Sequence, residues 1–188
     1  MTGGPRENTE TSTETNTEPD ALRGALDGQR NHVLGILEGL AERDLRRAVL
    51  PSGWSCLDLV RHLTEDVELF WFPGVVAGEF DVTSRHKAGM KAHWHTPESM
   101  SADEVFGAYR AAIERSNSVL AAAAVQRPGA LTRAPAAWPT EVWPEWRLAD
   151  LRSILLHVIT ETACHAGHLD AVRELIDGTT WLGGDSYA

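Results

Sequence analysis

Apolar residues return every three to four positions in four separate stretches of this 188-residue chain, the spacing that one buried face of an α-helix requires. The first stretch runs through Leu22, Leu26, His32-Val33, Leu37 and Leu40. Pro51-Ser52-Gly53 interrupts it, and Ser55 is placed to cap a second helix that opens near Cys56 and carries Leu59, Val60, Leu63, Val67, Phe70 and Trp71. Pro73-Gly74 is expected to bend or end that helix. Ser101 and Glu104 have the spacing of a capping box for a third helix, with Val105, Tyr109, Ile113 and Leu120 inward, ending before Arg127-Pro128-Gly129. A loop with Trp138-Pro139 and Trp143-Pro144 leads to a fourth helix over residues 148–176, stopped by Asp177-Gly178. No alternating, strand-like stretch competes. These segments predict an all-α four-helix bundle, with residues 79–99 as a long aperiodic crossover between helices two and three.

The ends of the chain are different material. Residues 1–20 hold no large apolar side chain beyond Met1, as the run Glu7-Asn8-Thr9-Glu10 illustrates, so nothing repays the entropy of ordering them. They are expected to form a disordered acidic leader, followed by the bundle over 21–180 and a short tail over 181–188. Seventeen basic against 27 acidic residues give a formal charge of −10, which repels a phosphate backbone and disfavours nucleic acid as a partner. Apolar runs such as 119–125 fall far short of the ~20 residues that cross a bilayer, and no signal-peptide pattern opens the sequence. Cys56 and Cys164 cannot make a disulfide framework, and a reducing cytoplasm is the expected setting.

The segment from His157 to His168 carries the chemistry. At about 100° per residue, His157, Glu161, His165 and His168 share an arc of about 80° on one helix face. Glu161 and His165, at i and i+4, can reach one metal ion. His62, among Leu59, Val60 and Leu63, is the best candidate for a third ligand from the second helix. Two imidazoles and a carboxylate leave coordination positions open, as catalytic zinc and non-haem iron sites do, and ligand type alone does not choose between them. The competing reading is an ordinary solvated Glu–His pair. His168 is read first as a hydrogen-bonding neighbour, with the parts of ligand and proton acceptor left open, and His157 as a packed or capping histidine, although either could complete a closed four-ligand shell of a structural site. His93-Trp94-His95 looks like a metal-binding tract but falls in the crossover. Cys164, about 100° from its neighbour His165, is expected to be a buried structural thiol. Cys56, near a helix N-terminus, could have a lowered pKa, though no basic partner is evident. Trp138, Trp143 and Trp146 could roof a pocket, and core or dimer packing accounts for them equally well.

The run from Gly53-Trp54-Ser55-Cys56 to Arg61-His62-Leu63, with Glu161-Thr162-Ala163-Cys164-His165-Ala166-Gly167-His168, resembles the DinB-like superfamily, and within it the DUF664 branch linked to mycothiol S-transferases. The resemblance covers residues 21–178. It implies a bundle holding one divalent metal between helices two and four, with zinc foremost and nickel or iron open. Where the wider superfamily has two histidines spaced HxxxH, Glu161 here replaces the first, which adds a negative charge beside His62 and His165. The implied activity is transfer of a low-molecular-weight thiol such as mycothiol to an electrophilic small molecule, with a homodimer as the expected assembly. Because an anionic Glu161 makes the site less electrophilic than three imidazoles would, His168 is expected to compensate as proton acceptor. A metalloenzyme of specialised metabolism that needs no added thiol (an isomerase or hydrolase), or a non-catalytic metal-binding stress module, would use the same scaffold.

Overall fold

The computed structural model describes residues 17–89 (86–89 by backbone alone), 95–141 and 143–181. Among them every regular element is helical. In chain order these are α1 (Glu18–Ile36), the short α2 (Glu42–Leu45), α3 (Cys56–His62), a π-helical segment (Leu63–Val76), α4 (Phe80–Gly89), α5 (Ala102–Ala122), a 3₁₀ turn (Ala130–Thr132) and α6 (Leu151–Asp177).

The helix starts follow from local chemistry. Thr17, Ser55 and Ser101 each accept the backbone N–H three residues on, while Asp20, Asp58 and Glu104 bond back to the cap. These three reciprocal boxes satisfy amides that would otherwise be orphaned. Thr17 thereby starts α1 at Glu18, ahead of the Ala21 boundary expected from the apolar pattern. Asp150 caps α6, so that helix begins at Leu151 rather than 148, and Gly178 ends it at φ 79°, a left-handed conformation that glycine adopts without strain.

Two expectations are corrected. Pro73-Gly74 does not break the second helix. The chain passes through it in wider π turns, Ala77 N–H reaching back five residues to Phe72 O at 2.9 Å. At the segment's end, Val76 and Val75 carbonyls accept Ala136 and Ala137 N–H from the loop before α6, at 3.3 and 3.1 Å. Residues 79–99 are also not wholly aperiodic, since they contain α4, which packs on the π segment.

α1 lies along α6, and α5 along the π segment and α3. The interior between them is filled by Leu26, Val33, Phe70, Phe72, Tyr109, Leu120, Ile154, Leu155 and Leu169. One polar device runs through this core. Arg30 donates Nε and Nη2 to the two carboxylate oxygens of Glu68, both at 2.7 Å, and Nη1 to Asp27 and Asn117, both at 2.9 Å. No helix among the described residues is long and apolar enough to cross a membrane.

Candidate metal centre

His62 is the last residue of α3, where the α-helix widens into the π segment. Thr64 marks the transition, its hydroxyl donating to Val60 O at 2.8 Å, a side-chain bond of the kind that distorts helices. Glu161 and His165 come from the middle of α6. His62 Nε2 stands 3.9 Å from Glu161 Oε1, and His165 Nε2 stands 3.6 Å from the same oxygen. The imidazoles meet edge to face at 4.8 Å. Their side chains are 12% and 9% exposed, whereas Glu161 is 38% exposed, so the cluster is buried on its histidine side and open on its carboxylate side.

The surroundings hold these rings in place. His62 Nδ1 lies 2.8 Å from Asp66 Oδ2. His165 Nδ1 lies 3.4 Å from His168 Nδ1, one of which must donate. Gly53, at φ 80°, makes the turn that brings Trp54 over both imidazoles, 5.9 Å from His62 and 5.7 Å from His165. Beside His165 is a cavity of about 190 Å³, lined by Ser52, Trp54 and His168 with Leu50, Leu59 and Val172.

The charges are strongly coupled. Burial alone would push the His62 imidazolium toward neutrality, but the Asp66 and Glu161 carboxylates outweigh it and raise its pKa to about 9. His165 and His62 together hold the Glu161 carboxyl well below the usual carboxylate range. Burial lowers the pKa of His157, with the Glu161 charge opposing.

The three residues fit a metal ion. Their ligand atoms lie within 4.8 Å of one another. The two N···O separations are ion-pair rather than hydrogen-bond distances, so the groups converge on one point without closing on each other. Donors bound about 2.0–2.2 Å from a shared zinc would stand roughly 3–4 Å apart. The Asp66 carboxylate on the far nitrogen of His62 is the support that ligating imidazoles usually have.

Of the residues expected at the site, His62, Glu161 and His165 come together. His168 is exposed and approaches the nitrogen of His165 that faces away from Glu161. His157 packs on Trp71 at 4.7 Å and Trp146 at 5.6 Å, as a packed histidine should. Cys164 is corrected: it is exposed, because the rotation from buried His165 carries it to the outer surface of α6. Cys56 is buried, and that burial pushes its thiol up to about 12, the opposite of activation. His93 and Trp94 of the tract in the crossover lie outside the described residues, as do residues 1–16 of the leader and 182–188 of the tail. Asp66 was not anticipated, although its i+4 spacing from His62 was visible.

The fold and this cluster define a helical protein with an interhelical donor set able to hold a metal ion. Residues 21–178 match the family described as Mycothiol-S-transferase, and the chain belongs to that family. Neither a curated protein nor a solved structure matches it.

Proposed function

We propose that the chain is a metal-dependent thiol S-transferase, built on a DinB-like four-helix bundle of α1, α3 with the π segment, α5 and α6. Its reaction is the transfer of a low-molecular-weight thiol such as mycothiol to an electrophilic small molecule. The observation that carries this reading is the convergence of His62, Glu161 and His165 within 4.8 Å, in a chain of the mycothiol S-transferase family.

His62, Glu161 and His165 would hold the metal, zinc foremost and nickel or iron by the same donors. A divalent cation there would lower the pKa of a thiol sulfur, favouring thiolate near neutral pH. The protein's own groups do the rest. Asp66 fixes the His62 ring through Nδ1. Trp54 packs against both imidazoles and forms part of the wall of the adjoining cavity. Glu161 contributes a negative charge that three imidazoles would not, so proton removal needs a base, and His168 on the wall of the 190 Å³ cavity is assigned that part. The thiol proton passes to His168, the sulfur forms a bond to the electrophilic carbon, and the displaced electron pair leaves with the departing group or moves along the unsaturated system. The volume suits the reacting end of a substrate rather than a whole drug-sized molecule. A cytoplasmic setting and a homodimer go with this reading.

Elemental analysis of purified protein, paired with thiol consumption in the presence of an electrophile, tests it. The expected result is one divalent ion per chain, lost in His165→Ala, and turnover that requires added thiol. A folded wild type that holds no metal, or consumes the electrophile equally without thiol, would overturn it.

A further inference from the structure

Metal binding and proton transfer leave one large feature beside the site unused. Trp71 from the π segment and Trp138, Trp143 and Trp146 from the loop before α6 form one aromatic cluster, with Trp71 and Trp146 against His157. Trp71 and Trp143 stack at 5.4 Å with planes 4° apart, and His157 lies 4.7 Å from Trp71. Trp71 is 3% exposed and belongs to the core, but Trp146 leaves 42% of its surface in solvent. Trp146 is backed by Trp143 at 5.4 Å, Trp138 at 5.6 Å and His157 at 5.6 Å. A ring needed only for the core would be covered. This one packs on three neighbouring rings and still leaves a large part of its surface open.

Its position relates it to the metal centre. His157 precedes Glu161 by four residues, just over one turn of α6, about 6 Å along the axis. A thiol bound at His62, Glu161 and His165 would therefore have the rest of its molecule within reach of this aromatic surface. Mycothiol is an N-acetylcysteine joined by an amide to glucosamine, which is linked in turn to inositol. By standard bond lengths its sulfur and first ring are separated by roughly 6 Å, a distance comparable to that turn. Both rings are uncharged, which suits a chain of net charge −10 that would repel an anion. The weakly positive C–H face of a sugar ring matches the electron-rich face of an indole.

We propose that Trp146, supported by Trp143 and His157, is the platform on which the sugar portion of the thiol cosubstrate stacks, making it a specificity-determining residue. The substrate assignment rests on the thiol-transfer reading, while the platform can be tested without turnover.

The probe is the thiol-free pseudo-disaccharide N-acetylglucosaminyl-inositol, uncharged like the rings of mycothiol, titrated into wild type, Trp146→Ala and Trp146→Phe and followed by calorimetry. Wild type should bind it, Trp146→Ala should bind about 10-fold more weakly, and Trp146→Phe should recover most of the affinity, as a stacking contact predicts. In turnover, the ratio of kcat/KM for mycothiol to that for N-acetylcysteine, which lacks the sugar, should fall about 10-fold in Trp146→Ala, through KM. Failure of wild type to bind the probe, equal binding by Trp146→Ala, or an unchanged ratio between the two thiols would overturn the platform. Probe binding that depends on Trp146 in a protein that transfers no thiol would instead overturn the reaction and leave the platform standing.

Discussion

Two polar clusters lie between helices of this protein, and they are finished to different degrees. Where α1 meets the π segment, Arg30 and Glu68 close fork to fork at 2.7 Å, their side chains 3% and 1% exposed, with Asp27 and Asn117 taking the remaining guanidinium donor. Where α3 meets α6, His62, Glu161 and His165 stop 3.6 to 3.9 Å apart, and the carboxylate stays open to solvent. A buried charge pair is tolerated only when its hydrogen-bonding capacity is used up. The first cluster meets that condition by itself. The second is supported on its outer side, through Asp66, and its facing atoms meet only at the longer ion-pair distance. Saturation separates a structural ion pair from a ligand site more sharply than residue type does.

The largest expected effect tests the closed cluster. Glu68→Ala leaves a buried guanidinium without its main partner and should cost about 3–5 kcal/mol in urea denaturation. His165→Ala, in metal-free protein, should cost clearly less, because its group is not saturated by the fold. Equal costs would erase the distinction. The next effect tests the support behind the open cluster. Asp66→Asn should weaken metal affinity about 10- to 100-fold, measured by competition with a chelator. Affinity unchanged in that variant would reduce Asp66 to an ordinary partner of His62.

The third effect is smaller and depends on pH. In metal-free protein His62 has its pKa raised from 6.5 to about 9. A raised histidine contributes its stability fully below the unfolded value and loses it as pH climbs through the folded one. Metal-free protein should therefore lose stability between pH 6.5 and 9, on the order of 1 kcal/mol once solvent screening of the half-open Glu161 is counted. Saturating metal should reverse the slope, since ligating imidazoles must be deprotonated. Denaturation midpoints across that range, with and without zinc, give both signs.

The open cluster was more legible in the sequence than the closed one. Glu161 and His165 sit at helical spacing within one segment, and His62 has apolar neighbours on both sides, so both pieces can be read locally. Arg30 and Glu68 are 38 residues apart, and nothing local says that two charged residues will turn inward and meet. The caps at Ser55 and Ser101 and the stop at Gly178 were visible because each is a short-range rule. The passage through Pro73 was not, because proline lacks the N–H a helix needs, and what meets the loss is long-range: the carbonyl of Glu68, five residues back, accepts the Ser116 hydroxyl from α5 at 3.3 Å. α4 was missed for the reason that its ten residues, Phe80 to Gly89, have weak apolar periodicity and lean on the π segment. Cys164 shows the limit of assigning burial by residue type: a thiol is usually inside, but the helix face decides.

The smallest effect concerns the one group that qualifies the closed cluster. Tyr109 is 0% exposed, yet its hydroxyl has no hydrogen-bond partner among the described residues, and its burial and the nearby Glu68 charge both raise its pKa. An unsatisfied buried hydroxyl carries a desolvation cost that no bond offsets, while the ring around it fills the core. Tyr109→Phe removes the hydroxyl and keeps the ring, so stability should stay the same or rise by up to about 1 kcal/mol in urea denaturation. A loss larger than that would mean that the hydroxyl is bonded after all, through a buried water reaching the Arg30–Glu68 pair, and that closure of this cluster extends one residue further than its direct contacts.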